Sequence, residues 1–220
     1  MKKIIFLFSI STIINCLTIP KNNYEIIYNN DKLNFKNKSI IINIFKDSRK
    51  GENIDKSLMF IIPFFISGDV ELNFPESDRI SVNNPIKYFI ADILKKEVEN
   101  NFEFYSTQIS ESSISADYFI QGEIKSFYCT RKVYAYGLSI YGILLWYFGA
   151  PAISHECDIN IEVKLKDSSN NILYNKLYNE KNKIYSGLYY NMFDLNKVYN
   201  DVMKKMMDKI IIDLKENLVN

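Results

Sequence analysis

The sequence predicts an α+β fold: a mainly antiparallel sheet with two long amphipathic helices packed on one face, preceded by a cleaved N-terminal signal segment. Three observations carry this. Residues 118–128 and 159–166 alternate in period two, as strands with one buried face do. Two stretches, 86–98 and 195–214, repeat apolar residues at three- and four-residue steps. The chain opens on a basic, then apolar leader, too short to span a bilayer as a helix, which takes about 20 residues.

In that leader Met1-Lys2-Lys3 is followed by the uncharged run Ile4 to Ile14, then Ile13-Ile14-Asn15-Cys16. The segment resembles the signal peptide and lipobox of bacterial lipoproteins, with Ile13 three positions before the cysteine and Asn15 departing from the usual small residue. The resemblance implies that residues 1–15 are removed and that Cys16 becomes the acylated first residue, holding the chain to a lipid bilayer. Leu17 after it resembles lipoproteins sorted to the outer membrane, facing the periplasm. Residues 16–37, rich in Asn and Lys, are expected to form the lipidated start and a polar tether, and 38–220 a single domain with an apolar insertion at 133–154.

Within the domain, Ser39 to Phe45 is the first strand, closed by the polar turn Asp47-Ser48-Arg49-Lys50-Gly51. Leu58 to Ile66 is more apolar but is broken by Pro63, which cannot donate to a sheet ladder, so an edge, a bulge or a surface loop is expected. Asn84 caps the first helix with Pro85 at its first position, and Ile86, Phe89, Ile90, Ile93, Leu94 and Val98 form its apolar face. Glu97 and Glu99 are placed on its solvated side. Phe102 to Ser106 is a short strand. Tyr118 to Tyr128, the alternating Ile159, Ile161, Val163 and Leu165, and Ile172 to Tyr185 after the turn at 168–171 make an antiparallel meander. Asp194 caps a last helix running to Leu218, with Leu195, Val198, Val202, Met206, Ile210 and Leu214 on one face.

Cys129 closes one strand and Cys157 opens the next. In an exported chain they form either a disulfide or two buried thiols, and the sequence leaves that open. Between Lys132 and Glu156 there is no formal charge. This insertion is open to three readings: a membrane span, a connection folded back into the core, or an exposed tip of Leu144, Leu145, Trp146, Tyr147 and Phe148 that meets a partner or a bilayer interface.

Two further motifs carry a family resemblance. Asp47-Ser48-Arg49 after an apolar strand, then a helix and Ala116-Asp117-Tyr118-Phe119-Ile120-Gln121-Gly122-Glu123-Ile124, resemble the YajG-like and transport-auxiliary lipoproteins. Tyr136-Gly137-Leu138-Ser139-Ile140-Tyr141-Gly142 and Gly187-Leu188-Tyr189-Tyr190-Asn191 are similar to uncharacterised lipoproteins of that build. The resemblance implies an accessory role in envelope assembly or transport, with an envelope protein as partner.

Lys plus Arg number 27 against 26 Asp plus Glu, which removes the polybasic argument for nucleic acid. A single histidine, His155, is placed in a loop, and glycine-rich phosphate loops and metal-ligand spacings are absent from the sequence. No enzyme activity, cofactor or metal is therefore expected. The function expected is a non-enzymatic, lipid-anchored envelope protein that binds through a sheet edge or the Tyr/Trp-rich segment. The alternative is a small-ligand or lipid carrier with an apolar cavity between sheet and helices.

Overall fold

The computed structural model describes residues 24–28, 31–50, 54–73, 86–111, 115–191 and 197–219. The leader, Cys16, and the expected caps at Asn84 and Asp194 lie outside these residues. In chain order the elements are β1 Leu33–Asn43, β2 Lys46–Asp47, β3 Ile54–Lys56, β4 Ser67–Asn73, α1 Ile86–Asn101, β5 Phe102–Ser110, β6 Tyr118–Tyr134, α2 Ile143–Tyr147, β7 Ile153–Asp167, β8 Ile172–Ser186 and α3 Lys197–Val219.

Among the described residues all eight strands join one sheet. Its spine is β6, whose 17 residues pair along one edge with β7, which in turn pairs with β8. The other edge of β6 is shared. Its first residues pair with β1 and its middle with β2, whereas Tyr128 to Tyr134 pair with β4, which carries β3. Beyond β1 lies β5.

The expected fold class needs correction here. The β1–β5, β1–β6 and β2–β6 pairs are parallel, so the sheet is mixed and not mainly antiparallel. The helices are also unequal: α3 has 23 residues, α1 has 16 and α2 only five. Period-two alternation reports that a strand has a buried face and is silent on the direction of its neighbour. Parallel pairing needs a crossover, and the excursion through β3, β4 and α1 provides one, returning the chain so that β5 starts beside Leu33.

Helices α1 and α3 cover one face of the sheet. Ile90, Leu94 and Val98 of α1 and Val202, Met203, Met206 and Ile210 of α3 pack in one cluster with Ile40, Ile42, Ile120, Ile124, Phe127, Ile159, Ile161 and Leu165. These side chains are fully buried. They fill the space in which a carrier would need its cavity, and burial of this kind is worth about 1.5–3 kcal/mol for each large side chain.

The motif residues of the family resemblance turn out to hold the sheet together. Arg49 donates from Nε to Asp47 Oδ1 at 2.8 Å and from Nη2 to Asp47 Oδ2 at 2.6 Å, closing the end of β2. Burial alone would raise the Asp47 carboxyl. The side-chain and backbone hydrogen bonds from Arg49 outweigh it and hold the group below the usual carboxylate range. Asp117 accepts from the Ser39 backbone N–H at 2.8 Å and from Lys38 Nζ at 3.1 Å, tying the start of β6 to β1. Gly122 lies under the Phe45 ring, where a Cβ would come within 2.0 Å of the ring.

Glu97 departs from its expected place on the solvated side of α1. It is buried, accepting from Tyr24 Oη at 2.5 Å and from Lys204 Nζ at 2.9 Å, and so joins the N-terminal segment to both helices. His155 is in strand β7, opposite Arg131 of β6 and Ile184 of β8, rather than in a loop.

Candidate functional site

The row of the sheet that holds Cys129 and Cys157 marks a boundary. Their sulfurs are bonded at 2.08 Å across the directly opposed β6–β7 pair. The core under the helices reaches this row, with Cys157 inside it and Cys129 and Ile184 packed against it. Above the row, β4, β6, β7 and β8 continue as an arm to Ser67, Tyr134, Ile153 and Ser186. The arm has its own aromatic packing: Tyr134 stacks on Tyr136 with centroids 5.8 Å apart and meets Tyr185 at 6.4 Å.

Three segments distant in sequence close the end of this arm. The first, Ser57–Ile61, is a 3-10 turn, followed by residues 62–66 leading into β4. The second connects β6 to β7 through a 3-10 turn, Ser139–Gly142, and α2. The third follows β8, where Gly187 and Tyr190 form an isolated bridge. Backbone hydrogen bonds lock the first two together: Phe64 N–H to Gly137 O at 2.9 Å, Gly137 N–H to Phe65 O at 3.0 Å, and Ala135 N–H to Ile66 O at 2.8 Å. Ser139 Oγ also donates to Ile61 O. The third is tied on by Tyr189 Oη, which donates to Tyr147 O at 3.1 Å.

The close approach at the centre requires glycine. A Cβ on Gly142 would lie 2.0 Å from the Ala135 carbonyl oxygen. Trp146 is half-buried and donates from Nε1 to Tyr134 O at 2.9 Å, so it pins α2 onto the arm. Leu145 is half-buried with it. Of the five residues expected at a tip, Leu144, Tyr147 and Phe148 are the exposed ones.

The segment bonded to Ala135, Gly137 and Ser139 carries side chains that sequence reasoning did not assign to a site: Leu58, Ile61, Ile62, Phe64, Phe65 and Ile66 are all exposed, Phe64 at 93%. Residues 57–66, 133–153 and 184–191 contain no Asp, Glu, Lys or Arg, so these segments are apolar, aromatic and free of formal charge, each following a lysine: Lys56, Lys132 and Lys183. The signal for the first segment was present in its own charge-free run. Nothing local showed that it would meet the insertion.

Leu138, Ile140, Leu144 and Phe148 of the insertion are exposed and not folded back into the core. Among the described residues no helix is long and apolar enough to cross a membrane, which leaves β-barrel spans unaddressed.

Titratable groups meet elsewhere in structural clusters, Tyr24 with Glu97 and Lys204 and, between β8 and α3, Lys176 and Tyr178 with Asp213. Burial, followed by the charge of Arg131, pushes His155 down to about 4, leaving it neutral at pH 7. A polar cleft of about 360 Å³ lies at the ends of β1 and β5, lined by Asn43, Lys46, Asp47, Lys87, Ser110 and Glu111. Asp47 is already engaged by Arg49.

No family model matches the sequence, and no curated protein matches it. Solved structures similar in shape include a candidate lipoprotein from Caulobacter crescentus, 11% identical with a TM-score of 0.35, covering 60% of this chain and 82% of that one. A hypothetical protein from Chlamydia trachomatis is 6% identical with a TM-score of 0.39, covering 79% of this chain and 96% of its own. A candidate neuraminyllactose-binding hemagglutinin homologue from Helicobacter pylori is 9% identical with a TM-score of 0.42, covering 89% and 96%. These are loose likenesses of overall shape.

Proposed function

We propose that the protein is a non-enzymatic, lipid-anchored envelope protein that serves envelope assembly or transport by presenting the apolar end of its arm to another envelope component. The observation that carries this reading is the convergence of three charge-free segments on one exposed, hydrogen-bonded surface. Exposed apolar surface of this extent is unfavourable in water and marks an interaction site. Its Phe and Tyr content and lack of charge match the centre of a protein interface. The leader ending at Cys16 supplies the place: acylation there attaches the domain to a membrane, with the outer membrane facing the periplasm as the compartment its Leu17 favours. The filled space between sheet and helices argues against carriage.

The anchor is tested by labelling cells with a palmitate analogue. The wild type is expected to be labelled and to fractionate with membranes, and Cys16→Ala to lose both; an unlabelled wild type would remove the anchor. The surface is tested by co-purification from crosslinked cells. Phe64→Asp combined with Phe148→Asp is expected to lose the wild type's partners while retaining its circular dichroism, and an unchanged partner set would remove the apolar end as the binding surface.

A further inference from the structure

The segment that leads into the domain is fastened to both long helices. Tyr24 Oη donates to Glu97 Oε1 of α1 at 2.5 Å, and Lys204 Nζ of α3 donates to the same oxygen at 2.9 Å. Asn100 Nδ2 donates to Ile27 O at 2.8 Å and Lys32 Nζ to Glu99 O at 2.7 Å, so the segment is also held along the C-terminal half of α1.

Between this segment and α1 is an open recess of about 650 Å³. Small-ligand sites span roughly 300–1,000 Å³. Its charged lining is Lys32 and Lys96 against Glu25 and Glu99, with Tyr24 and Tyr28 beside them. Lys32 spends its hydrogen bond on a carbonyl and not on a carboxylate. Lys96 pairs with Asp92 on the helix surface and stays half exposed. On the same segment Ile27 and Tyr28 point their side chains into solvent, 73% and 86% exposed.

Two features select a ligand. The first is charge: two ammonium groups and two carboxylates leave the recess without net charge. A purely anionic ligand would meet repulsion from Glu25 and Glu99, whereas a molecule that carries a phosphate and an ammonium finds a charge-assisted partner for each. The second is position along the chain. Eight steps separate Cys16 from Tyr24, about 29 Å at most when fully extended. With Cys16 acylated, the headgroups of its own bilayer are no farther than that from Tyr24. An exposed aliphatic side chain next to an exposed tyrosine suits the boundary between headgroups and acyl chains, where an apolar body and a polar tip are both accommodated.

We propose that this recess binds the headgroup of an amino-phospholipid of the phosphatidylethanolamine type, taken from the bilayer that carries the anchor. Lys32 and Lys96 meet the phosphate, Glu25 and Glu99 the ammonium, and Ile27 and Tyr28 the glycerol and upper acyl region. The proposal rests on the anchored reading above and adds to it a footing on the domain itself, separate from the apolar end of the arm.

Glycerophosphoethanolamine, a water-soluble form of the headgroup, tests the recess independently of the anchor. It would be titrated into full-length protein extracted in a non-ionic detergent and followed by saturation-transfer NMR. Saturable binding is expected, at least tenfold tighter than that of glycerophosphoglycerol, which lacks the ammonium, or of inorganic phosphate. Lys32 and Lys96 are exposed, so Lys32→Glu combined with Lys96→Glu is expected to keep the circular dichroism of the wild type and to weaken binding at least tenfold. Absence of saturable binding, equal binding of inorganic phosphate, or unchanged binding in the variant would overturn the headgroup site. In cells, a photoreactive phenylalanine at position 28 is expected to form adducts with phosphatidylethanolamine; adducts with protein alone would overturn the lipid source. Saturable glycerophosphoethanolamine binding by a chain that takes up no palmitate analogue would remove the anchor and leave the ligand chemistry of the recess standing.

Discussion

Asp47, Asp117 and Gly122 sit in the motifs that looked most like a family signature, and each has a structural task. Asp47 binds Arg49, Asp117 binds Ser39 and Lys38, and Gly122 makes room for the Phe45 ring. Gly122→Ala is expected to destabilise the protein by about 1–3 kcal/mol, since Phe45 has no alternative place in a filled core; urea unfolding would measure it. The tasks of Asp47 and Gly122 suit the ends and crossings of a sheet, so their order along the chain was legible while their partners were not. His155 gives a pH dependence. Its folded pKa, about 4, lies below the ordinary 6.5, so between those values the unfolded chain binds more protons. Stability is therefore fully present above pH 6.5 and falls as pH drops toward 4, by about 2–3 kcal/mol for this group. Urea midpoints measured across that window are expected to show the fall, and His155→Gln to remove most of it. A slope equally steep in the variant would assign the effect elsewhere.

Among the elements, the arm depends on staples where the core depends on burial. The Cys129–Cys157 disulfide closes a separation of 28 residues at the row where the helical cover ends. Replacing both cysteines by serine is expected to cost about 3–4 kcal/mol from loop entropy. Hydrogen exchange would place the loss: amides of β4 and of β6 beyond Cys129 should become the least protected of the sheet, while those of α1 and α3 lose no more than the global cost. In the connection above the arm, Gly142→Ala puts a methyl against the Ala135 carbonyl and is expected to displace α2. A red shift of Trp146 emission, as its indole leaves Tyr134, would record it. The apolar faces of α1 and α3 and the alternation of β6 and β7 were readable in sequence because 3.6- and two-residue periods are local. The 3-10 turn at Ser57–Ile61 was not, since Pro63 fitted several irregular structures equally well.

At the scale of the whole molecule, Glu97 binds the entering chain to both helices, and three charge-free segments close the end of the arm. Removing the Glu97 carboxylate leaves Lys204 without one of its two partners and frees Tyr24. Glu97→Ala is expected to cost about 2–4 kcal/mol and to raise the rate of proteolysis at residues 24–28. Unchanged cleavage would mean that the segment is held by Asn100 and Lys32 alone.

By itself the sequence determined the apolar faces of α1, α3, β6 and β7 and that the chain carries three internal stretches free of formal charge, because periodicity and composition are properties of neighbouring residues. Only the tertiary structure decided that β1 has parallel neighbours on both sides, that Glu97 is buried, and that residues 57–66, 137–149 and 187–190 share one surface. Those outcomes depend on crossovers and on contacts between residues as many as 107 positions apart, for which no local pattern exists.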